Sequence, residues 1–219
     1  MSDTPKHPVI APTVIAIDGP AAAGKGTLAR RLAAELNLPY LDTGLLYRAV
    51  GRLVLDKGRN PGDPIAAEAA AKALRPMDVL RDDLRGPEAD AAAAAVASIA
   101  TVRAALLAFQ RDFAQERGAV LDGRDIGTVI FPDATVKLFI TATIAARAQR
   151  RYLELQAKGT AATLDQVESD MRARDEQDAT RAAAPLKPAD DAIILDTTNL
   201  DQDAAFAAAL AIIREKLKP

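Results

Sequence analysis

The stretch from residue 14 to residue 30, VIAIDGPAAAGKGTLAR, constrains the fold of this chain more than any other. An apolar run rich in Val and Ile ends at Asp18, a glycine-rich turn follows, and a helical pattern begins at Gly24. This order of strand, GxxxxGK turn and helix is the context that a phosphate-binding loop requires. The sequence therefore predicts an α/β domain whose first strand ends at an anion-binding loop.

Each part of this loop has a physical role. Gly19, Gly24 and Gly26 allow backbone conformations and close approaches that a Cβ would block, so that successive N–H groups can face an anion. Lys25 adds a positive charge, and the hydroxyl of Thr27 can bind a phosphate-bound Mg²⁺. Gly26 follows the lysine where Ser or Thr is usual, so the hydroxyl comes one residue later. A ligand-free turn is the alternative, which the completeness of the pattern disfavours.

Composition excludes several classes of protein. The 219 residues suit one α/β domain, with or without a small appended lobe. The net charge of −2 provides no overall basic field, so we expect no nucleic-acid partner. The chain has no Cys, which excludes disulfides, thiolate metal sites and a thiol nucleophile. Its one histidine, His7, lies in a Pro-flanked N-terminal segment, which argues against His-based acid–base catalysis.

The sequence has no apolar run of 18 residues and no signal-peptide pattern. We therefore expect a cytoplasmic protein without a membrane partner.

Predicted strands alternate with predicted helices, which favours βαβ units and a five-stranded parallel sheet flanked by helices. The predicted strands span residues 14–17, 39–42, 119–122, 135–141 and 192–195. The predicted helices span about residues 24–35, 43–55, 89–117, 144–158, 164–178 and 203–217. Residues 65–86 are predicted to form Ala-rich helical pieces interrupted by Pro76, and residues 75–88 have little strand character.

The predicted organisation has three parts. Residues 1–12, with three prolines, form a flexible tail. Residues 13–55 and 101–219 form the core. Two Gly and two Pro between residues 58 and 64 mark the boundary of a smaller lobe, residues 56–100.

Two polar clusters follow predicted strands, at the sheet edge where open α/β folds bind ligands. In LDTGLLYR, Thr43 is a candidate helix cap and Arg48 lies about one turn further on; a plain cap with a solvated arginine is the alternative. In LDGRDIG, Asp122 ends a strand like the acid that holds Mg²⁺ in nucleotide hydrolases. Arg124 suits a phosphate and Asp125 an amino group on a base edge, whereas an ordinary turn with a surface ion pair is the alternative.

Two further clusters are arginine-rich. Arg147, Arg150 and Arg151 share one helix face, which is either solvated or in contact with ATP. In RARDEQDATR, the spacing of residues 174, 178 and 181 places them on one face if the helix persists. An exposed, salt-bridged helix is the alternative. Gly159 and Pro185 suit the hinges of a moving lid.

Together these motifs identify a resemblance to bacterial cytidylate kinases, which transfer a phosphoryl group from ATP to CMP or dCMP. The similarity extends from residue 14 to about residue 217. The matching segments, in order, are GPAAAGKGT, LDTGLLYR, VRAAL, LDGRDIGTVIFPDA, RAQRR and RDEQDATRAAAPL. The Gly26–Thr27 variation is the form that monophosphate kinases share. The resemblance implies a P-loop kinase fold, ATP and Mg²⁺, a nucleotide-binding lobe at residues 56–100 and a helical lid at about residues 150–185.

The resemblance also assigns individual residues. The ATP-binding positions are Gly19, Pro20, Ala21, Ala22, Ala23, Gly24, Lys25, Gly26, Thr27, Arg150 and Arg151, and the metal positions are Thr27 and Asp122. The positions on the acceptor side are Thr43, Tyr47, Arg48, Arg103, Arg124, Asp125, Arg174, Asp178 and Arg181. Within that set, Arg48, Arg124 and Arg181 correspond to ligands of the CMP phosphate, Arg103 and Asp125 to readers of cytosine, and Tyr47, Arg174 and Asp178 to neighbours of the sugar. Lys25, Arg124 and Arg181 are the predicted catalytic residues.

Two features depart from the family pattern. A serine usual near the nucleoside is replaced by Ala94, for which Ser98 or water could substitute, so discrimination of CMP from UMP is left open. The acceptor lobe is short, and we expect it to be mostly helical rather than to contain a small sheet.

Three other interpretations compete. A kinase for UMP, AMP or a sugar acid would share the phosphate loop, whereas Arg103 and Asp125 favour a base with an amino group. A GTP-binding switch protein would need an NKxD motif, which the sequence lacks. An inactive scaffold is disfavoured because Lys25, Thr27 and Asp122 are intact. We expect a monomer.

Overall fold

The computed structural model describes residues 12–218. The predicted tail lies outside these residues except for Pro12, as does His7.

A five-stranded parallel sheet forms the centre of the described chain. Its strands are β1 (Val14–Asp18), β2 (Tyr40–Asp42), β3 (Ala119–Gly123), β4 (Val136–Thr141) and β5 (Ile193–Asp196). The strand order is β2-β3-β1-β4-β5, and every neighbouring pair is parallel. The predicted five-stranded parallel sheet is therefore confirmed.

Eight α-helices occur in the described residues. They are α1 (Lys25–Leu36), α2 (Thr43–Leu55), α3 (Pro64–Lys72), α4 (Pro87–Ala97), α5 (Ala100–Ala114), α6 (Ile144–Ala157), α7 (Leu164–Thr180) and α8 (Gln202–Lys216). A 3₁₀ turn spans Pro76–Leu80, and a π-helical turn spans Ile126–Ile130, directly after the loop that follows β3. Local chemistry sets several ends: Asn37 ends α1 with a left-handed φ of 53°, and Asp42 caps α2 by accepting from the N–H of Leu45.

The prediction of one helix over residues 89–117 is wrong. The chain turns by 98° between α4 and α5. Ser98 caps α4, its Oγ donating to the carbonyl of Ala95 at 2.7 Å, and Ile99 is extended with its side chain against the core. No Gly or Pro marks this break, where the partly buried Ile99 packs against the core in an extended conformation. Within residues 12–218 no single helix is long and apolar enough to cross a bilayer; α4 and α5 pass that test only when joined across this bend.

Helices cover both faces of the central strands, whereas at the edge strand β5 the side chain of Ile194 is 59% exposed. Side chains alternate along β1, so Val14 and Ala16 face the apolar cluster shared with α2 to α5. Ile15 and Ile17 face the second cluster, which includes residues of α1 and α8. Open parallel sheets of this kind bind ligands at the loops that follow the carboxyl ends of the strands.

The alanine-rich lobe packs by close backbone approach. A Cβ at Gly51 of α2 would lie 2.8 Å from the Cβ of Ala92 on α4. From Arg75 to Glu88, a segment that the structure describes in full, there is no strand, which agrees with the expected helical lobe.

Candidate active site at the carboxyl edge of the sheet

The loop after β1 is shaped by its own backbone. Gly19 has a φ of 144°, and a Cβ there would lie 2.0 Å from the carbonyl oxygen of Ile140, so no other residue fits. Gly24 begins α1 with a φ of 87°, and Ala22 also has a positive φ, 57°. The Nζ of Lys25 donates to the carbonyl of Pro20 at 2.8 Å, which closes the loop around the lysine. The arrangement is that of a phosphate-binding loop at a helix N-terminus.

Lys25 carries its charge in a buried position. Burial lowers its pKa, and so do the positive charges of Arg124 and, to a smaller extent, Arg174, while Asp122 and Asp18 oppose this shift. An anion bound at the loop would favour the charged form of this lysine.

The candidate metal site fits Mg²⁺ in its donor chemistry. One Asp122 oxygen accepts from the Tyr40 hydroxyl at 3.0 Å and would lie 3.3 Å from a Cβ at Gly26, so the carboxylate faces the first turn of α1. Burial, and then the charge of Asp42, raise the pKa of Asp122 to about 6. Thr27, in the same first turn, is exposed. No cluster of three Asp, Glu or His side chains within residues 12–218 could hold a metal. Magnesium is commonly held by one or two carboxylates plus substrate phosphates, which suits this set.

Asp18 holds the loop that follows β3. Its two carboxylate oxygens accept the backbone N–H groups of Ile126 and Gly127, each at 2.8 Å. The side chain is 5% exposed, and burial raises its pKa to about 6 despite these two hydrogen bonds. Arg124 and Asp125 lie in the loop that this carboxylate fixes. Sequence reasoning did not single out Asp18 or Tyr40, because their partners lie more than eighty residues away.

The structure brings Arg103, Asp125 and Tyr47 together. Arg103 of α5 forms a buried ion pair with Asp125, and its guanidinium lies 5.7 Å from the centroid of the Tyr47 ring. Burial raises the pKa of Asp125, against the opposing charge of Arg103, and burial raises the pKa of Tyr47 to about 12. The three side chains form a polar wall suited to the hydrogen-bonding edge of a base.

Three predicted acceptor-side arginines lie around Asp178. The Nε of Arg124 donates to Asp178 at 2.7 Å, and Arg181 approaches the same carboxylate at 3.8 Å. The buried Nε of Arg181 has no hydrogen-bond partner among the described residues. Burial, followed by the charge of Arg124, lowers the pKa of Arg174. Crowded arginines and an unpartnered buried donor favour a bound anion at this position.

Arg48 lies at the same edge but is held by a residue that the sequence did not suggest. Its Nε and Nη2 donate to one oxygen of Asp90 at 3.0 and 2.9 Å. Arg151 of α6 approaches the other oxygen of Asp90 at 3.5 Å.

The three arginines of α6 separate in the structure. Arg147, 5% exposed, donates to the carbonyl of Ala21 in the phosphate loop at 3.2 Å and pairs with Asp175 of α7. Arg150 instead donates to the Thr197 carbonyl at 2.5 Å, in the loop after β5. Arg147 is therefore the member of this group that contacts the phosphate loop directly, while ATP contacts by Arg150 and Arg151 remain predictions.

Two hydroxyl groups have structural partners. The Oγ1 of Thr43 is buried and donates to the Asp122 carbonyl at 2.7 Å, which joins the first residue of α2 to β3. The hydroxyl of Ser98 is exposed and donates within its own helix. The geometry therefore gives no support to Ser98 as a replacement for a serine at Ala94.

A parallel sheet with a phosphate loop, a buried loop lysine and arginines gathered beside the buried Arg103–Asp125 pair is the architecture of a P-loop nucleoside monophosphate kinase. The family model described as cytidylate kinase matches residues 15–215, and the chain belongs to the cytidylate kinase family. A cytidylate kinase of Acidiphilium cryptum is 62% identical over 206 residues, 94% of this chain and 97% of the relative. One from Granulibacter bethesdensis is 63% identical over 203 residues, covering 93% and 97%.

Two solved structures share the fold at low sequence identity. An uncharacterized protein from Eubacterium ventriosum aligns with a TM-score of 0.54 and 19% identity, over 93% of this chain and 98% of that one. The protein TT1252 from Thermus thermophilus aligns with a TM-score of 0.50 and 19% identity, over 95% and 100%.

Proposed function

We propose that this protein phosphorylates CMP and dCMP with ATP, giving CDP or dCDP and ADP. The observation that carries the proposal is the buried Arg103–Asp125 pair, which lies on the same sheet edge as the arginine cluster and the phosphate loop. A carboxylate accepts from the amino group of cytosine, and a guanidinium donates to its ring nitrogen or carbonyl.

The acceptor needs no general base. A phosphate monoester has its second pKa near 6, so at neutral pH the CMP phosphate is largely a dianionic nucleophile. One of its oxygens attacks the γ-phosphorus of ATP; the new P–O bond forms as the bond from the γ-phosphorus to the bridging oxygen breaks, and ADP leaves. The protein has to align the two nucleotides and offset negative charge on the transferring group.

The assigned residues suit these two tasks. Lys25 and the backbone N–H groups of the loop bind the phosphates of ATP. Arg48, Arg124 and Arg181 bind the CMP phosphate, and Tyr47, Arg174 and Asp178 adjoin the sugar. Thr27 and Asp122 would hold Mg²⁺, which neutralises phosphate charge when bound. Arg150 and Arg151 complete the ATP side.

The proposed organisation follows these roles. Residues 13–55 and 101–219 form the kinase core, residues 56–100 the acceptor lobe, and about residues 150–185 a lid that closes over ATP. The protein acts as a cytoplasmic monomer on free nucleotides, without nucleic acid or membrane.

A coupled ADP-release assay with ATP and Mg²⁺ tests the reaction on CMP, dCMP, UMP, AMP, GMP and TMP. We expect turnover of CMP and dCMP. Comparable turnover of UMP would refute strict cytosine readout and would fit Ala94, which lacks a side-chain hydrogen-bonding group. Turnover of none would overturn the proposal and favour a kinase for another small molecule.

Two substitutions test the catalytic assignments. We expect Lys25→Ala or Arg181→Ala to lower kcat by about a hundred-fold or more, since each removes a charge directed at phosphate, with the circular dichroism spectrum unchanged. Lys158→Ala is the control, because this lysine is exposed and pairs with Glu154 on the same helix face. Near-normal turnover in either variant would refute the role of that residue.

A further inference from the structure

We propose that Asp90 is a positioning residue that weakens binding of the acceptor phosphate, because it holds Arg48 of the phosphate site as an ion pair and also contacts Arg151 of the ATP side. The inference rests on the proposed function, in which Arg48 binds the CMP phosphate.

The contacts of Asp90 join three helices. One carboxylate oxygen receives both the Nε and the Nη2 of Arg48 from α2, and the other lies 3.5 Å from Arg151 of α6. The Asp90 side chain is 22% exposed and that of Arg48 is 21% exposed. The pair is therefore partly shielded from water, which strengthens its mutual attraction relative to a surface pair.

The same carboxylate acts on a third arginine. Asp90 raises the pKa of Arg174, in opposition to burial and to the charge of Arg124, which lower it. Asp90 therefore offsets positive charge that a phosphate would otherwise meet in full. Asp178 likewise offsets part of the positive charge of Arg124 and Arg181, with which it forms ion pairs.

A phosphate bound by Arg48 would be close to this carboxylate. Asp90 accepts hydrogen bonds from the Nε and Nη2 of Arg48. The Nη1 of Arg48 points towards α2 instead, 3.3 Å from the position that a Cβ on Gly44 would occupy. A dianion sharing this guanidinium repels the carboxylate or displaces it. In both cases the affinity for CMP is lower than Arg48 alone would give, and CDP leaves more readily.

The alternative is that Asp90 only stabilises the N-terminus of α4 and has no effect on phosphate binding. It lies in the first turn of that helix, where acidic residues are stabilising in any protein. Glu88 lies in the same turn and pairs with Arg52, away from the cluster. It is therefore a matched control for the effect of a carboxylate on the helix.

The test compares Asp90→Asn, Asp90→Ala and Glu88→Gln by calorimetry with CMP and with cytidine, which lacks the phosphate. Removing the negative charge of Asp90 from beside the Arg48 guanidinium should tighten CMP binding roughly three- to ten-fold. Cytidine binding should not change, and added salt should weaken CMP binding more steeply in both Asp90 variants. The KM for CMP should fall by a similar factor with a smaller change in kcat, and Glu88→Gln should match the wild type.

Unchanged or weaker CMP binding in the folded Asp90 variants would overturn the inference, as would an equal gain in cytidine affinity. Absence of CMP binding in the wild type would overturn the proposed function and the inference together. The two failures are therefore distinguishable.

Discussion

The carboxylate of Asp18 accepts the backbone N–H of Gly127 at 2.8 Å, across 109 residues of chain. Its other oxygen accepts from Ile126 at the same distance. Asp18 is the last residue of β1, directly before the phosphate loop, and Gly127 follows the loop that carries Arg124 and Asp125. One buried side chain thus sets the position of the proposed acceptor loop relative to the proposed ATP loop.

Replacing Asp18 with Asn should raise the KM for CMP and lower kcat, each by about ten-fold, because an amide can accept only one of the two N–H groups and directs its own donor at the other. Steady-state kinetics with CMP and ATP measure the effect. Asp203→Asn is the control, since that residue is exposed and pairs with Arg31 on the surface. Wild-type kinetics in the Asp18 variant would show that the two loops hold their positions without this contact.

The same group should make stability depend on pH. Burial raises the pKa of Asp18 from 3.8 to about 6, so the folded protein binds this proton more tightly than the unfolded chain. The resulting stabilisation is complete below about pH 3.8 and is lost as the pH rises to about 6. Urea unfolding of wild type and Asp18→Asn should therefore give a difference in unfolding free energy that shifts by about 2.5 kcal/mol in favour of wild type between pH 7 and pH 4. A difference independent of pH would contradict the raised pKa.

Replacing Asp125 with Asn should lower kcat/KM for CMP by about a hundred-fold and reduce the preference for CMP over UMP, because Arg103 is left buried without its counter-charge. The substrate panel described above measures both quantities. Asp112→Asn, on the exposed face of the same α5 helix as Arg103, is the control. A retained CMP preference would remove Asp125 from base recognition.

Replacing Arg147 with Lys should raise the KM for ATP about ten-fold and leave the KM for CMP nearly unchanged. A lysine cannot donate to Ala21 of the phosphate loop and to both oxygens of Asp175 at once. Arg172→Lys is the matched control, since Arg172 pairs with Glu168 on the exposed face of α7. An equal KM for ATP in the two variants would show that the hydrogen bond from Arg147 to Ala21 has no effect on ATP binding.

Replacing Gly51 with Ala should destabilise the fold by about 1–3 kcal/mol, since the added Cβ overpacks the contact between α2 and α4. The Cβ of Ala92 would lie 2.8 Å from it, so adding Ala92→Gly should recover part of the loss. Denaturant unfolding of the single and double variants measures both effects. If the double variant lost as much stability as the two single variants together, the Gly51–Ala92 contact would not be the source of the strain.

Much of the fold could be predicted because its signals are local. Apolar runs identified the five strands, and the chemistry of caps and breaks located most helix ends to within one or two residues, as at Asp42 and Asn37. The break at Ser98 and Ile99 was missed, since it depends on which side chain reaches the core and not on helix propensity. The functional roles of the residues that the motifs singled out stay predictions, and the structure adds the partners that hold these side chains in place.

The phosphate loop, the parallel sheet and the family resemblance follow from the sequence alone, because each depends on residue types at short, regular spacings. The sequence does not predict that Asp18 binds the loop of Arg124, that Asp90 holds Arg48, or that Arg147 rather than Arg150 contacts Ala21; these contacts depend on tertiary packing. These partners lie 42 to 126 residues apart. Contacts at such separations leave no periodic pattern in the sequence. They form when strand order and helix packing bring these side chains to one edge of the sheet, where an unpaired buried charge would cost free energy.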